Sequence, residues 1–161
     1  MNKKGLVLLS GGLDSALAIG VMKRQPLELC SVHFLHFFSD GFRQGTVGHS
    51  ARYAADHFGI PLHFITIRQD FIEIVKKPRY GYGTALNPCI DCRMLIFRRA
   101  AAYMQQCGAS FIVTGEVLGE RPMSQRRATI ELIERMSGLE GLVVRPLSGL
   151  LFPPTVPESK G

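Results

Sequence analysis

The hexapeptide Ser10-Gly11-Gly12-Leu13-Asp14-Ser15 constrains this chain more than any other stretch. An apolar run, Gly5 to Leu9, leads into it, and a helical pattern, Ala16 to Met22, leads out. The segment therefore reads as strand, glycine turn, helix. Two adjacent glycines remove the Cβ atoms that would keep an anion away from the backbone. The helix that follows offers unpaired N–H groups and the positive end of its dipole. Ser10 and Ser15 add hydroxyl donors. Asp14 repels a bare phosphate, but it suits one that reaches it through a magnesium ion.

Two common nucleotide loops, G-x-x-x-x-G-K-[ST] and G-x-G-x-x-G, are absent from the sequence. The S-G-G-x-D-S pattern instead resembles the pyrophosphate loop of ATP pyrophosphatases, which split ATP into AMP and pyrophosphate. Relatives of that family include tRNA thiouridylases, GMP synthetase and NAD synthetase. The resemblance implies ATP and Mg²⁺ as cofactors. It assigns Ser10, Gly11, Gly12, Asp14 and Ser15 to nucleotide binding, with Asp14 also a magnesium ligand and a catalytic residue.

The rest of the sequence fits one α/β domain. At 161 residues, with 46% of them apolar, the chain can bury a sizeable core. Strand and helix patterns alternate, which predicts a three-layer sandwich on a mainly parallel five-stranded sheet. The expected strands are Gly5 to Leu9, Glu28 to Phe37, Leu62 to Ile67, Ser110 to Thr114 and Leu142 to Arg145. Helices are expected from Asp14 to Lys23, Thr46 to Phe58, around Phe71 to Val75, from Asn87 to about Cys107, and from Ser124 to Met136. Ser39-Asp40-Gly41 closes the second strand, and Arg79 to Leu86 reads as a mobile loop. Residues 1–150 are expected to form a Rossmann-like ATP-binding domain, as the resemblance implies, and 151–161 a Pro-rich tail, expected to lead towards a domain absent from this chain. In open parallel sheets ligands bind beyond the carboxyl ends of the strands. The ends of strands one, two and four, at Ser10, Phe34 and Gly115, are expected around one nucleotide, so Phe34 and Gly115 join the candidate binding residues.

No apolar run reaches membrane-spanning length. Met1-Asn2-Lys3-Lys4 resembles the start of a signal peptide, but the short apolar run after it enters the glycine loop without a cleavage pattern. The chain is read as cytoplasmic, with its four cysteines reduced. The net charge is +6. The basic residues bunch as Lys76, Lys77 and Arg79, then Arg93, Arg98 and Arg99, then Arg121, Arg126 and Arg127. Clustered cations near a candidate site favour a large polyanion such as tRNA.

The second chemical feature is Asn87-Pro88-Cys89-Ile90-Asp91-Cys92. Asn is expected as the N-cap and Pro as the first helical residue. Ile90, Met94, Phe97, Ala101 and Met104 recur at helical spacing as a core stripe, and Gly108 ends the helix. Cys89 and Cys92, three apart, share one helical face. A thiol at a helix N-terminus beside Arg93 is expected to have a lowered pKa, with Asp91 opposing. Three readings stand open: a sulfur-handling nucleophile with a resolving partner, half of a zinc or iron–sulfur site, or two structural cysteines. Cys30 and Cys107 read as ordinary buried thiols.

Asn87-Pro88-x-x-x-Cys92 is similar to the N-P-D-x-x-C-N stretch of bacterial tRNA 2-thiouridylases, which implies a catalytic role for Cys92. The similarity runs over most of residues 5–150. Thr114-Gly115 stands where those enzymes read T-G-H, Gln125 echoes a later glutamine, and Val32-His33-Phe34 matches a segment that holds adenine. Cys89 replaces their aspartate, Glu116 their histidine, and no second, sulfur-bearing cysteine follows. A CxxC beside such a loop also resembles iron–sulfur-dependent thiolation enzymes, which need a third cysteine.

Among the histidines, His33 and His36 lie on opposite faces of the second strand. His33 is a candidate near adenine, while His36, His49, His57 and His63 read as surface or satisfied residues. Glu116 reads either as a contact to ribose, magnesium or substrate, or as a solvated loop acid. Asp40 and Asp70 read as turn residues.

The function these resemblances imply is ATP-dependent adenylation of a tRNA uridine followed by sulfur insertion, with Cys89 and Cys92 catalytic. The implied partners are tRNA, a sulfur donor protein or sulfide, and a second copy or a separate tRNA-binding domain. The alternatives are amidation or ligation of a small molecule, or a nucleotide-binding subunit without catalysis.

Overall fold

The computed structural model describes residues 3–36, 48–83 and 86–160. Five strands, β1 (Lys4–Leu8), β2 (Glu28–Leu35), β3 (Leu62–Thr66), β4 (Phe111–Val113) and β5 (Val143–Val144), form one sheet of order β3-β2-β1-β4-β5. All four pairings are parallel. The described residues also form six α-helices: α1 (Leu13–Met22), α2 (His49–Phe58), α3 (Arg68–Lys76), α4 (Cys89–Gln106), α5 (Arg127–Ser137) and α6 (Val156–Lys160). The three-layer α/β expectation is met.

Period-two alternation distributes the strand side chains between two cores. Leu6, Cys30, Val32, Phe34, Ile112 and Val143 face α4 and α5, against Met94, Phe97, Ala100, Met104 and Ile133. Val7, Leu9, Leu29, Phe111, Val113 and Val144 face α1 and α2, against Ala18, Ile19, Met22, Ala51, Ala54 and Ala55. Because both faces are covered, the strands read in sequence as continuous apolar runs.

The chain winds outward from β1 through β2 to β3, then returns to β4 and β5 on the other side of β1. The direction reverses between β1 and β4. That switch point places two loops side by side, Leu9–Gly12 after β1 and Thr114–Glu116 after β4.

Several boundaries depart from the sequence expectation. Pro88, not Asn87, occupies the N-cap of α4, with no side-chain cap. The Asn87 carbonyl instead accepts N–H bonds from Gly83 and Cys89 at 2.7 and 2.9 Å. Helix α5 begins at Arg127 because Ser124 and Gln125 are buried in the preceding loop, where Gln125 Oε1 accepts the Arg121 N–H. The Pro-rich tail starts a new turn of helix. Glu158 accepts both the N–H and the hydroxyl of Thr155, the residue before the helix, and Pro157 falls in the first turn where no N–H is needed. The expected turn at Ser39-Asp40-Gly41, Phe37 and the start of the second helix at Thr46 lie outside the described residues, as do Thr84 and Ala85 in the expected mobile loop. Among the described residues no helix is long and apolar enough to cross a membrane.

Candidate functional site

The loop after β1 is built by its glycines and serines. Gly11 has φ +85°, and a Cβ there would lie 2.8 Å from the Ala51 backbone nitrogen. Only glycine fits both the conformation and the close approach to α2. Gly12 is the N-cap of α1, extended at φ −81°, with no side-chain cap bond. The Ser10 hydroxyl accepts the Gly12 N–H at 3.3 Å and donates to Ser15 Oγ at 3.1 Å, while the Ser15 hydroxyl donates to the Gly12 carbonyl at 2.8 Å. These bonds fix the turn while the first amides of α1 stay uncapped. Asp14, half-buried in the first turn, has no hydrogen bond or ion pair among the described residues. A free carboxylate beside uncapped amides fits a polyphosphate carried with a divalent cation.

The loop after β4 closes this site from the other side of the switch point. A Cβ on Gly115 would lie 2.5 Å from the Asp14 carbonyl carbon and from the Ser15 nitrogen. The backbone of Gly115 thus rests directly on the start of α1. The next residue, Glu116, turns the other way and is 2% exposed. Its Oε2 accepts from Arg145 Nε at 2.9 Å and from the Thr114 hydroxyl at 3.2 Å, and its Oε1 lies 2.8 Å from Arg93 Nη2. Burial works to raise the Glu116 pKa, but Arg93 and Arg145 together overcome it and hold the carboxyl below the ordinary value. Arg145 also pairs with Glu134. Glu116 is therefore not a solvated loop acid: it is buried, and its carboxylate faces Arg93 on one side and Arg145 on the other.

Arg93 follows Cys92 on α4, so the Glu116 pair ties the cysteine turn to the end of β4. Both Cys89 and Cys92 are half-buried free thiols. The lowered pKa expected at this helix terminus is not found for Cys92. Burial pushes the Cys92 thiol up to about 11, and Arg93 opposes without prevailing. The sequence argument counted charge and helix dipole but could not count desolvation. Cys89 lies under a neighbouring segment: a methyl group at Gly83 would sit 3.4 Å from Cys89 Sγ and 2.5 Å from Met123 Sδ.

As a metal site the pair is incomplete. Among the described residues no group of three or more His, Cys, Asp or Glu gathers to hold an ion. Two thiols without further ligands do not fit the zinc or iron–sulfur alternative.

Other candidates fall into place around this centre. The Phe34 ring, 7% exposed, packs in the α4-facing core, so the residue stands at the end of β2 with its side chain turned inward. His33 Nδ1 donates to the Leu9 carbonyl at 2.7 Å, just before the glycine loop, and its buried Nε2 has no hydrogen-bond partner among the described residues. His36 and His63 stack on Phe71 and Tyr103, and Asp70 pairs with Arg99. The middle basic cluster is largely structural: Arg93 serves Glu116, Arg99 serves Asp70, and Arg98 Nε donates to the Met136 carbonyl. Arg127 bonds the Leu151 carbonyl and stacks on Phe152. Lys77, Arg79, Arg121 and Arg126 remain exposed, without an ion pair among the described residues. Cys30 and Cys107 approach to 3.8 Å at the far end of α4, and burial pushes Cys30 up to about 12.

Sequence reasoning brought Gly115 to the glycine loop but missed the Glu116–Arg93–Arg145 network. The only signal was the Thr114-Gly115-Glu116 run itself.

Compared with known families, residues 1–151 match the model described as "Thiamine biosynthesis protein (ThiI)". The chain is 34% identical over 122 residues to the tRNA-specific 2-thiouridylase MnmA of Sulfurimonas denitrificans, covering 73% of this chain and 36% of that protein. It is 30% identical over 113 residues to the MnmA of Pelobacter propionicus, covering 68% and 32%. The chain thus spans about a third of the length of these curated relatives. Among solved structures, a 4-thiouridine synthetase in complex with RNA and bound ATP aligns with a TM-score of 0.71 at 27% identity, over 91% of this chain and 37% of that one. The U34-tRNA thiolase NcsA of Methanococcus maripaludis, solved with its [4Fe-4S] cluster, shares the fold at a TM-score of 0.56 and 18% identity, over 91% and 51%.

Proposed function

Because this chain belongs to the ThiI family of pyrophosphate-loop ATP pyrophosphatases, we propose that it adenylates a tRNA uridine and then replaces the base oxygen with sulfur. The observation that carries this reading is the Thr114-Gly115-Glu116 turn. Gly115 rests on Asp14 and Ser15 of the glycine loop, and Glu116 holds the arginine next to Cys92. One three-residue turn thus couples a nucleotide loop to a pair of thiols at the same end of the sheet.

In this scheme ATP lies across the switch point, with its phosphates against Ser10, Gly11, Gly12 and Ser15. The uridine carbonyl oxygen attacks the α-phosphorus, a new P–O bond forms, and pyrophosphate leaves. Uncapped amides at the start of α1 face the departing charge and cost no reorganisation. Asp14 would hold Mg²⁺ here, and the ion would supply further neutralisation of the polyphosphate. The thiolate of Cys89 or Cys92 attacks the outer sulfur of a donor protein's persulfide, the donor's S–S bond breaks and its thiol leaves, and the sulfane sulfur is carried as a persulfide on that cysteine. Its terminal sulfur attacks the activated carbon, and AMP leaves. The neighbouring thiol then attacks the carrier sulfur, which releases the thiolated base and forms a Cys89–Cys92 disulfide. An external dithiol reduces that disulfide before the next turnover. The raised Cys92 pKa keeps this thiol protonated between turnovers. A cytoplasmic location fits a tRNA substrate, and a second copy or a separate tRNA-binding domain completes the grip on RNA.

The test measures pyrophosphate release from ATP and Mg²⁺ with and without unmodified bulk tRNA, and thiolated nucleosides by mass spectrometry. The wild type is compared with Cys89→Ser/Cys92→Ser. Release stimulated by tRNA, with thiolation abolished in the double variant, is the expected result. Thiolation that survives the loss of both cysteines would sink the sulfur scheme. Turnover with ammonium and a small acid but not with tRNA would instead assign a small-molecule substrate.

A further inference from the structure

Ile90 and Asp91 stand between the two cysteines. Asp91 is 8% exposed on the first turn of α4. It occupies the third helical position, where a carboxylate ordinarily turns back to bond the N-cap amide. Here the N-cap is Pro88, which has no N–H to offer. Asp91 reaches outward instead. Its Oδ1 accepts the Arg79 N–H at 3.1 Å and its Oδ2 the Tyr80 N–H at 3.0 Å.

Those two bonds hold a strap, Lys77 to Gly83, against the cysteine turn. The strap has other anchors: the Tyr82 hydroxyl donates to the Val75 carbonyl at 2.6 Å, and the Gly83 N–H to the Asn87 carbonyl at 2.7 Å. Tyr80 packs against the core, and Gly83 lies beside Cys89 Sγ and Met123 Sδ. Asp91 spends its charge on backbone amides rather than on the guanidinium of Arg79. Arg79 and Lys77 are left exposed and without a carboxylate partner among the described residues.

We infer that Asp91 is a positioning residue that seats the Lys77–Gly83 strap beside Cys89 and Cys92, so that the strap's cations hold an RNA phosphate backbone against the thiols. The inference rests on the tRNA reading of this site and deepens it. Phosphate contacts fix register and orientation, so a seated strap sets where the base arrives. A freed strap still carries its charge but loses the alignment.

The experiment uses the full chain and bulk tRNA, with binding followed by fluorescence anisotropy across a range of KCl. Amide hydrogen exchange at Arg79 and Tyr80 is measured in parallel, and ATP affinity serves as the folding control. In Asp91→Asn one carbonyl oxygen still accepts, but the amide nitrogen cannot replace the second acceptor. Exchange at the two amides is expected to rise about tenfold. Affinity for tRNA is expected to fall roughly fivefold to tenfold, and the slope of log affinity against log salt to drop by about 1 to 2. ATP affinity stays at the wild-type value. Lys77→Ala/Arg79→Ala should give the same loss of slope without faster exchange, and it decides the matter if Asp91→Asn does not fold. Faster exchange with unchanged tRNA affinity and slope, or a double variant that binds like wild type, would overturn the inference alone. A wild-type protein that binds no tRNA would overturn the functional reading and take this inference with it.

Discussion

Replacing Gly12 with alanine separates a phosphate cradle from an ordinary glycine turn. At φ −81° and ψ 166° the position is open to any residue. Among the described residues an added Cβ would meet only Ser10 Oγ, at an ordinary 3.5 Å. An alanine N-cap is worse than glycine by up to about 1 kcal/mol. Lower entropy of the unfolded chain returns about 0.4–1 kcal/mol. Folding stability should therefore change by less than about 1 kcal/mol, a shift of no more than about 2–4 °C for a chain of this size. Binding is another matter. Gly12 is exposed at the mouth of α1, and phosphate oxygens must come within about 2.9 Å of the amides there. Loss of two charge-assisted bonds at about 1.5 kcal/mol each amounts to about 3 kcal/mol. At 1.4 kcal/mol per decade that is roughly a hundredfold in ATP affinity. Calorimetric titration with ATP and Mg²⁺, beside a thermal melt, reads both quantities. The contrasting variant is Gly11→Ala, whose φ of +85° and 2.8 Å clash with Ala51 should cost the fold about 2–4 kcal/mol. A Gly12→Ala protein that melts normally and binds ATP within twofold of wild type would refute the cradle.

Three further outcomes follow from the geometry. Gly115→Ala forces a methyl 0.9 Å inside ordinary 3.4 Å contact with the Asp14–Ser15 backbone. It should destabilise by about 1–3 kcal/mol and weaken ATP binding, as denaturant melts and titrations will show. Glu116→Gln removes the charge that Arg93 and Arg145 share and should cost about 3–5 kcal/mol at pH 7. The folded pKa of Glu116 is depressed, so this stability is present above the unfolded value of about 4.3 and lost as pH falls below it. Urea melts from pH 7 to 3 should show the gap between wild type and variant closing at the acid end, and a gap constant with pH would count against the assignment. For Cys92, raised to about 11, iodoacetamide labelling tracked by peptide mass should be on the order of a hundredfold slower at pH 7.5 than in the unfolded chain. Its folded pKa lies above the unfolded value, so the associated stability is whole at neutral pH and drains away as pH rises from about 8.5 towards 11.

The comparison of expectation with structure turns on the range of the forces involved. Glycine pairs, apolar runs and helix stops act over a few residues, so the loop at Ser10–Ser15, the strand order of events and the turn at Gly59 could be read directly from the sequence. Gly115 was reachable too, because a parallel sheet with one reversal must bring the ends of β1 and β4 together. Boundaries failed where a distant partner intervened. Ser124 and Gln125 were drawn out of α5 by loop bonds, and Asn87 lost the cap of α4 when its carbonyl was taken by Gly83.

By itself the sequence determined an α/β sandwich with a nucleotide loop at the end of its first strand and two thiols at the start of its longest helix. These follow from backbone permissiveness and side-chain periodicity, which are local properties. Only the tertiary structure decided the electrostatics. It buried Glu116 between two arginines from α4 and the end of β5, buried the Cys92 thiol enough to raise rather than lower its pKa, and turned Asp91 from a neighbour of thiolates into an anchor for the strap. Desolvation and charge pairing depend on which atoms the fold brings within a few ångströms, and residues far apart in the chain supply those atoms.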